Sequence, residues 1–219
     1  MQFADIIGQK ETKQQLAELV QHNRLSHALL FLGKEGSGSL SLAIAFAQYV
    51  VCEKVNGGKS GVGSQESGPS LFGEPENSNV EPPTLNDSCG VCPACQKAQQ
   101  LIHPDIHFSY PTVTKKPGEK PVATDFITDW REFVKLSPYG NSYDWIEQIK
   151  EKENSQGKIT AEECNDIIRK LSLKSFESVY KILIMWMPEM LGTEGNKLLK
   201  LIEEPPPNTL FILVTENEA

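Results

Sequence analysis

Hydrophobic positions along the chain fall into two kinds of pattern that alternate. Continuous apolar runs occur at "ALLFL" (28–32), "YKILIMWM" (180–187) and "TLFILVTE" (209–216). "HPDIHFSYP" (103–111) reads as a further strand, ended by Pro111. Short runs without polar alternation predict buried strands of a parallel sheet. Between them the period changes to that of a helix. Leu16, Ala17, Leu19 and Val20 recur at helical spacing within Lys10–His22, and "SLAIAFAQYVVC" follows a glycine-rich turn as a second helix. Ile167, Ile168 and Leu171 mark another in "ITAEECNDIIRKLSL", with Thr160 as its cap, and "EGNKLLKLIEEPPP" is a helix stopped by prolines. The stretch Asp125–Lys152, with Trp130, Phe133, Tyr139, Tyr143, Trp145 and Ile146, also predicts helices. Strands alternating with helices imply an α/β fold: a parallel sheet flanked by helices, with a binding crevice at its C-terminal edge.

One segment breaks this rhythm. From Glu53 to Ser88 the residues are mostly Gly, Ser, Pro, Asn and Glu, too polar to bury much area, which predicts a flexible surface insertion. Composition narrows the function classes. The 219 residues suit one large domain, and mean hydropathy of −0.34 belongs to a soluble globular chain. The apolar run at 28–32 is far too short to span a bilayer, and "MQFADIIGQKE" has no basic segment followed by an apolar one, so neither a membrane nor a secretory signal is expected. A net charge of −8 argues against this chain gripping duplex DNA alone, because phosphate contacts need clustered Lys and Arg.

Two motifs carry chemistry. "GKEGSGSLSLA" (33–43) follows the first strand and opens a helix, as a phosphate-binding loop does. That loop, G-x-x-x-x-G-K-[ST], uses backbone N–H groups and a Lys against phosphates and a Ser or Thr on Mg²⁺. Here Gly33, Gly36 and Gly38 are present, but Ser39 stands at the Lys position and Leu40 at the Ser/Thr position. The glycines are expected to serve the sharp strand-to-helix turn. The second motif is "CGVCPAC", a C-x₂-C-x₂-C array of Cys89, Cys92 and Cys95 whose spacing lets three thiolates converge on one ion. Zn²⁺ takes four ligands, and Cys52, Cys164, His103 and His107 are the candidates for the fourth. Cys164 reads most simply as a packed small residue, and the two histidines as packing or surface residues.

These motifs are similar to those of a known family. "FADIIGQKETKQQL", "SHALLFLGKEGSGSLSLA", "HPDIHF", "ITAEECNDIIRKLSLKSFESVYKILIM" and above all "GNKLLKLIEEPPPNTLFILVTENE" resemble the N-terminal AAA+ module of bacterial clamp-loader subunits of DNA polymerase III, most closely the delta-prime type. The resemblance leaves out the segment after Cys52 and the aromatic one near Trp130–Trp145, which extends to an insertion of about 115–158. It implies a four-cysteine zinc module over 52–95, with Cys52, Cys89, Cys92 and Cys95 as ligands of a structural zinc ion. It places the acidic pair that would hold Mg²⁺ and polarise water at Trp186 and Met187, which can do neither. Glu189 lies three residues further on, after Pro188, and is not expected to replace them; Thr215 falls at the sensor-1 position. The implied function is a noncatalytic subunit of the sliding-clamp loader in a hetero-oligomeric ring. It would be cytoplasmic and work with other clamp-loader subunits, and through them with the sliding clamp and primer-template DNA. The chain then corresponds to an N-terminal portion, with the trans-acting arginine, lid and collar beyond it. Two rivals stand against this expectation: an ATP-hydrolysing motor subunit or other P-loop ATPase, and a zinc-stabilised nucleic-acid-binding module.

Overall fold

Four parallel strands form one sheet in the order β1-β4-β3-β2: β1 (Ala28–Leu32), β2 (Ile106–Ser109), β3 (Lys181–Trp186) and β4 (Thr209–Thr215). The helices are α1 (Lys10–Gln21), α2 (Ser39–Val51), α3 (Glu53–Asn56), α4 (Pro93–Gln99), α5 (Ile127–Leu136), α6 (Ser142–Ile149), α7 (Ala161–Ser172) and α8 (Asn196–Glu203). A computed structural model describes residues 1–56, 86–115, 118, 120–152 and 155–217. Most of the insertion expected at 53–88 falls on residues 57–85, which lie outside the described residues. Residues 53–56 form a helical turn and Asp87 and Ser88 are hydrogen-bonded.

The central strands have apolar side chains on both faces because both faces are covered. Along β3, Ile182, Ile184 and Trp186 enter one core with α2, α4 and α5, while Leu183 and Met185 enter a second with α7 and α8. Helix α2 is buried from Leu40 to Val51, which accounts for a sequence apolar all round. The apolar run of β1 differs from expectation. Leu30 is 61% and Leu32 45% exposed, because β1 is an outer strand paired to β4 alone among the described residues.

The aromatic residues of 125–152 form their own core against the sheet. The Trp130 indole stacks on Tyr110 with centroids 4.0 Å apart and meets Trp145 edge-on at 5.3 Å. Rings offset or edge-on in this way add about 0.5–1.5 kcal/mol per pair beyond the area they bury. Polar tips reach backbone acceptors: Tyr110 Oη donates to Ala123 O at 2.7 Å, and Trp145 Nε1 to Pro111 O at 2.7 Å.

Helix α7 has a cap at each end. Thr160 Oγ1 accepts from the Glu163 N–H, and the buried Lys181 ammonium donates to Leu171 O at 3.0 Å, a cation at the negative end of the helix dipole. The loop after α7 is held by Asp105, whose buried carboxylate accepts the N–H groups of Phe176, Glu177 and Ser178 at 2.5–2.8 Å. Burial opposes its charge, but these three donors and the nearby His103 outweigh it and hold the carboxyl below its usual pKa. A lowered native pKa stabilises the fold above the unfolded value, and that stability is lost as the pH falls through the native one. Asp105→Asn is therefore expected to cost roughly 1–3 kcal/mol in urea unfolding at neutral pH. The gap between variant and native chain should close progressively below pH ~4, the ordinary aspartate range.

Candidate functional site

The glycine loop lies at the C-terminal end of β1, as strand-turn-helix geometry requires. Gly33 N–H donates to Thr215 O at 3.1 Å, tying the loop's start to the end of β4. Gly38 caps α2 in the left-handed region at φ 77°, a conformation glycine adopts without a Cβ penalty. Gln9 Nε2 donates to Ser37 O at 2.6 Å, so the N-terminal segment is anchored to the loop. Ser39 is the first residue of α2, and Leu40 is buried, packing into the core.

The crevice over this loop is filled by the chain itself. The corner between α5 and α6 places Tyr139 against Gly38, so closely that a Cβ on Gly38 would lie 2.7 Å from the ring. Ser41 Oγ donates to Pro138 O, and the Ile7 N–H donates to Tyr139 Oη at 2.8 Å. The space left among Lys34, Ser39, Tyr139, Trp186 and Glu216 is about 10 Å³. That is room for about one water, whereas small-molecule ligands occupy clefts of roughly 300 Å³ or more. One cation, Lys34, and one carboxylate, Glu216, line that space. Burial raises the Glu216 pKa, and the carboxylates of Glu35 and Glu189 raise it further.

Trp186 and Met187 lie at the end of β3, beside the loop. The Trp186 ring faces away from solvent, 5.5 Å from Trp130 and 5.7 Å from Phe133. Met187 is buried with φ 58°, and its N–H donates to Val214 O. Thr215 Oγ1 donates to Asn217 O and accepts from the Asn217 N–H, closing the end of β4.

The cysteines form a second site on the opposite end of α2. Cys52 is the C-terminal cap of α2 and Cys92 the N-terminal cap of α4, so two helix ends bring the thiols together. The sulfurs of Cys52, Cys89, Cys92 and Cys95 all lie within 4.8 Å of one another. The Cys89–Cys95 separation of 3.9 Å compares with an edge of about 3.8 Å for tetrahedral Zn–S bonds of about 2.3 Å. Backbone N–H groups already point at sulfur: Cys89 N to Cys52 Sγ at 3.3 Å, Cys92 N to Cys89 Sγ at 3.4 Å, and Cys95 N to Cys92 Sγ at 3.5 Å. The Cys95 thiol and the backbone N–H groups of Cys89, Val55 and Lys54 pull the Cys52 pKa down to about 4, against the effect of burial. Cys95, sharing that proton and buried, is pushed up. These residues could hold one metal ion. The other candidate ligands sit elsewhere. Cys164, on α7, is buried in the second core, His103 is buried with Nδ1 accepting from the Asp105 N–H, and burial lowers the pKa of His107 to about 4.

Sequence reasoning missed Pro138, Tyr139 and Gly140 as residues of the loop site. A signal existed: "SPYGN" is a turn sequence between two aromatic-rich helical stretches, and Trp186 needed an apolar partner. What could not be read was where the corner would land.

Comparison with known proteins supplies the family. The model of the family described as DNA polymerase III, delta subunit, matches residues 8–71 and 71–219. The delta' subunit of DNA polymerase III from Bacillus subtilis (strain 168) is 24% identical over 90% of this chain and 38% of its own length. That from Escherichia coli (strain K12) is 22% identical over 92% of this chain and 40% of its own length. Subunit tau from Bacillus subtilis is 25% identical over 97% of this chain and 25% of its own length. The chain thus spans well under half of each of these relatives. With the match running across nearly all of its residues, and with a parallel sheet whose first strand leads through a glycine loop into a buried helix, this chain belongs to the DNA polymerase III delta-subunit family.

Proposed function

We propose that this protein is a noncatalytic subunit of the bacterial sliding-clamp loader, a fixed member of a hetero-oligomeric ring that supports clamp loading during replication. The observation that carries this reading is the pairing of family with residue chemistry. Ser39 and Leu40 replace the phosphate-binding Lys and the metal-binding hydroxyl, and Trp186 and Met187 replace the acidic pair. Phosphoryl transfer depends almost wholly on those charges, so losing both groups removes positioning and electrostatic stabilisation together. The motor reading has its own support, since tau resembles this chain as closely as delta' does. Identity therefore does not separate the two, and the four residues support the noncatalytic reading.

The ring would bring this chain to its other subunits, and to clamp and primed DNA through them. The acidic balance of the chain supports that indirect route, since a net charge of −8 disfavours binding of phosphates by this chain alone. No described helix is long and apolar enough to cross a membrane. In a reconstitution with the organism's remaining clamp-loader subunits, clamp loading onto primed DNA is expected to require this protein. Alone, it should show steady-state ATP turnover no faster than the buffer blank. Turnover that responds to Mg²⁺ would establish the motor reading instead.

The cysteine cluster is proposed as a structural zinc site. Four thiolates leave no open position for a water nucleophile, and the ion would join the end of α2 to the start of α4. The purified protein is expected to carry one zinc per chain. Cys89→Ser should lose that zinc and lower Tm by about 6–12 °C, taking a loss of about 3 kcal/mol and about 2–4 °C per kcal/mol for a domain of this size. Metal-free protein with an unchanged Tm in the variant would remove zinc from the proposal.

A further inference from the structure

We infer that the corner between α5 and α6 is a built-in occupant of the nucleotide crevice, shutting it by shape independently of the missing Lys and carboxylates. The inference rests on the noncatalytic reading and gives it a physical cause that residue substitution alone does not supply. The distinction matters, because a degenerate loop with an empty crevice could regain nucleotide when its residues are restored, whereas a filled one could not.

The corner is built rather than loosely draped. Ser137 N–H closes α5 onto Phe133 O at 2.8 Å, and Gly140 N–H turns back to Ser137 O at 2.9 Å. Asn141 then caps α6: its side chain accepts from the Asp144 N–H at 2.9 Å, and its own N–H donates to the Asp144 carboxylate at 3.1 Å. Gly140 is required by close approach, since a Cβ there would lie 2.8 Å from the Phe133 ring. Phe133 in turn packs on Trp186, so the corner is attached to β3 through the aromatic core.

From this base the corner contacts the N-terminal segment, the glycine loop and α2. Tyr139 covers Gly38 with its ring and takes the Ile7 N–H on its hydroxyl. The Pro138 carbonyl accepts from Ser41 in the first turn of α2. A carbonyl oxygen therefore stands near the positive end of the α2 dipole, the end that attracts phosphate in a nucleotide-binding loop. The N-terminal segment, the loop with α2, and β3 are held together by side chains of this protein. Opening the crevice requires breaking these contacts, so the ring would meet a subunit whose shape does not depend on nucleotide.

The test compares three forms of the full chain: native, Ser39→Lys with Leu40→Thr, and that pair combined with Tyr139→Ala. Mg-ATP binding is followed by calorimetry. The pair is expected to bind no better than the native chain, and addition of Tyr139→Ala should gain at least about tenfold in affinity. Binding by the pair as tight as by the triple variant would overturn the inference while leaving the noncatalytic reading intact. Turnover by the native chain would overturn both. A measurement on the native protein guards against misfolded variants. Hydrogen exchange at the Gly38, Ser39 and Leu40 amides, which Tyr139 and the core cover, should stay unchanged at millimolar Mg-ATP. Added protection there would show that nucleotide enters and would overturn the inference. Tyr139→Phe keeps the ring and removes only the hydroxyl. It should speed exchange at the Ile7 amide while changing amides 38–40 less than about twofold, and a larger change at 38–40 would argue against the ring as the occupant.

Discussion

An indole at the end of a central strand, beside a crevice, has to be covered. Trp186 occupies that place, and the arrangement around it follows from satisfying its surface. Trp130 and Phe133 of α5 lie on it, Tyr110 stacks on Trp130, and Trp145 of α6 closes the group edge-on. Burying such rings is worth several kcal/mol each, far more than an exposed ion pair. Once α5 and α6 are committed to that cluster, the short turn joining them has little freedom. It must pass over the glycine loop, and Tyr139 lands on Gly38.

The same residue thus acts at two levels. In the proposed reading, Trp186 stands where the resemblance places a metal-binding carboxylate, and an indole cannot hold a metal ion. As a hydrophobic anchor, it recruits the segment that fills the crevice. A charged residue there would do neither: a carboxylate buried against Trp130 and Phe133 would have no partner, and such a group costs more than the contacts around it return. Chemistry and packing at this position favour the same outcome.

At its other end, α2 meets the cysteine cluster, so one buried helix connects the two sites. Cys52 ends α2 and Gly38 begins it. A rigid apolar helix between the loop and the thiol cluster suits a structural part better than a hinge. Asp87 adds to this by accepting the N–H groups of Phe3 and Ala4, which fixes the chain's start beside the cysteines. Likewise Asp105 orders the loop after α7 with a single carboxylate.

Much of this was legible in the chain before any coordinates. Continuous apolar runs marked β3 and β4, a 3.6-residue period marked α1 and α7, and Thr160 marked a cap, because these signals are local and each residue carries its own share. The cysteine spacing showed three converging thiols for the same reason, while Cys52 lies 37 positions before Cys89 and only the fold brings it to them. The exposed side of β1 was illegible, since a strand's place at a sheet edge depends on pairing order and not on its own residues. Tyr139 was illegible in the strongest sense: its partners are Gly38 and, across 132 positions, Ile7. Local periodicity and residue chemistry were enough to determine the α/β fold, the broken loop motif and the thiol cluster. Which side chain fills the crevice was decided by tertiary packing alone, because that contact exists only after the aromatic core has fixed where α5 ends and α6 begins.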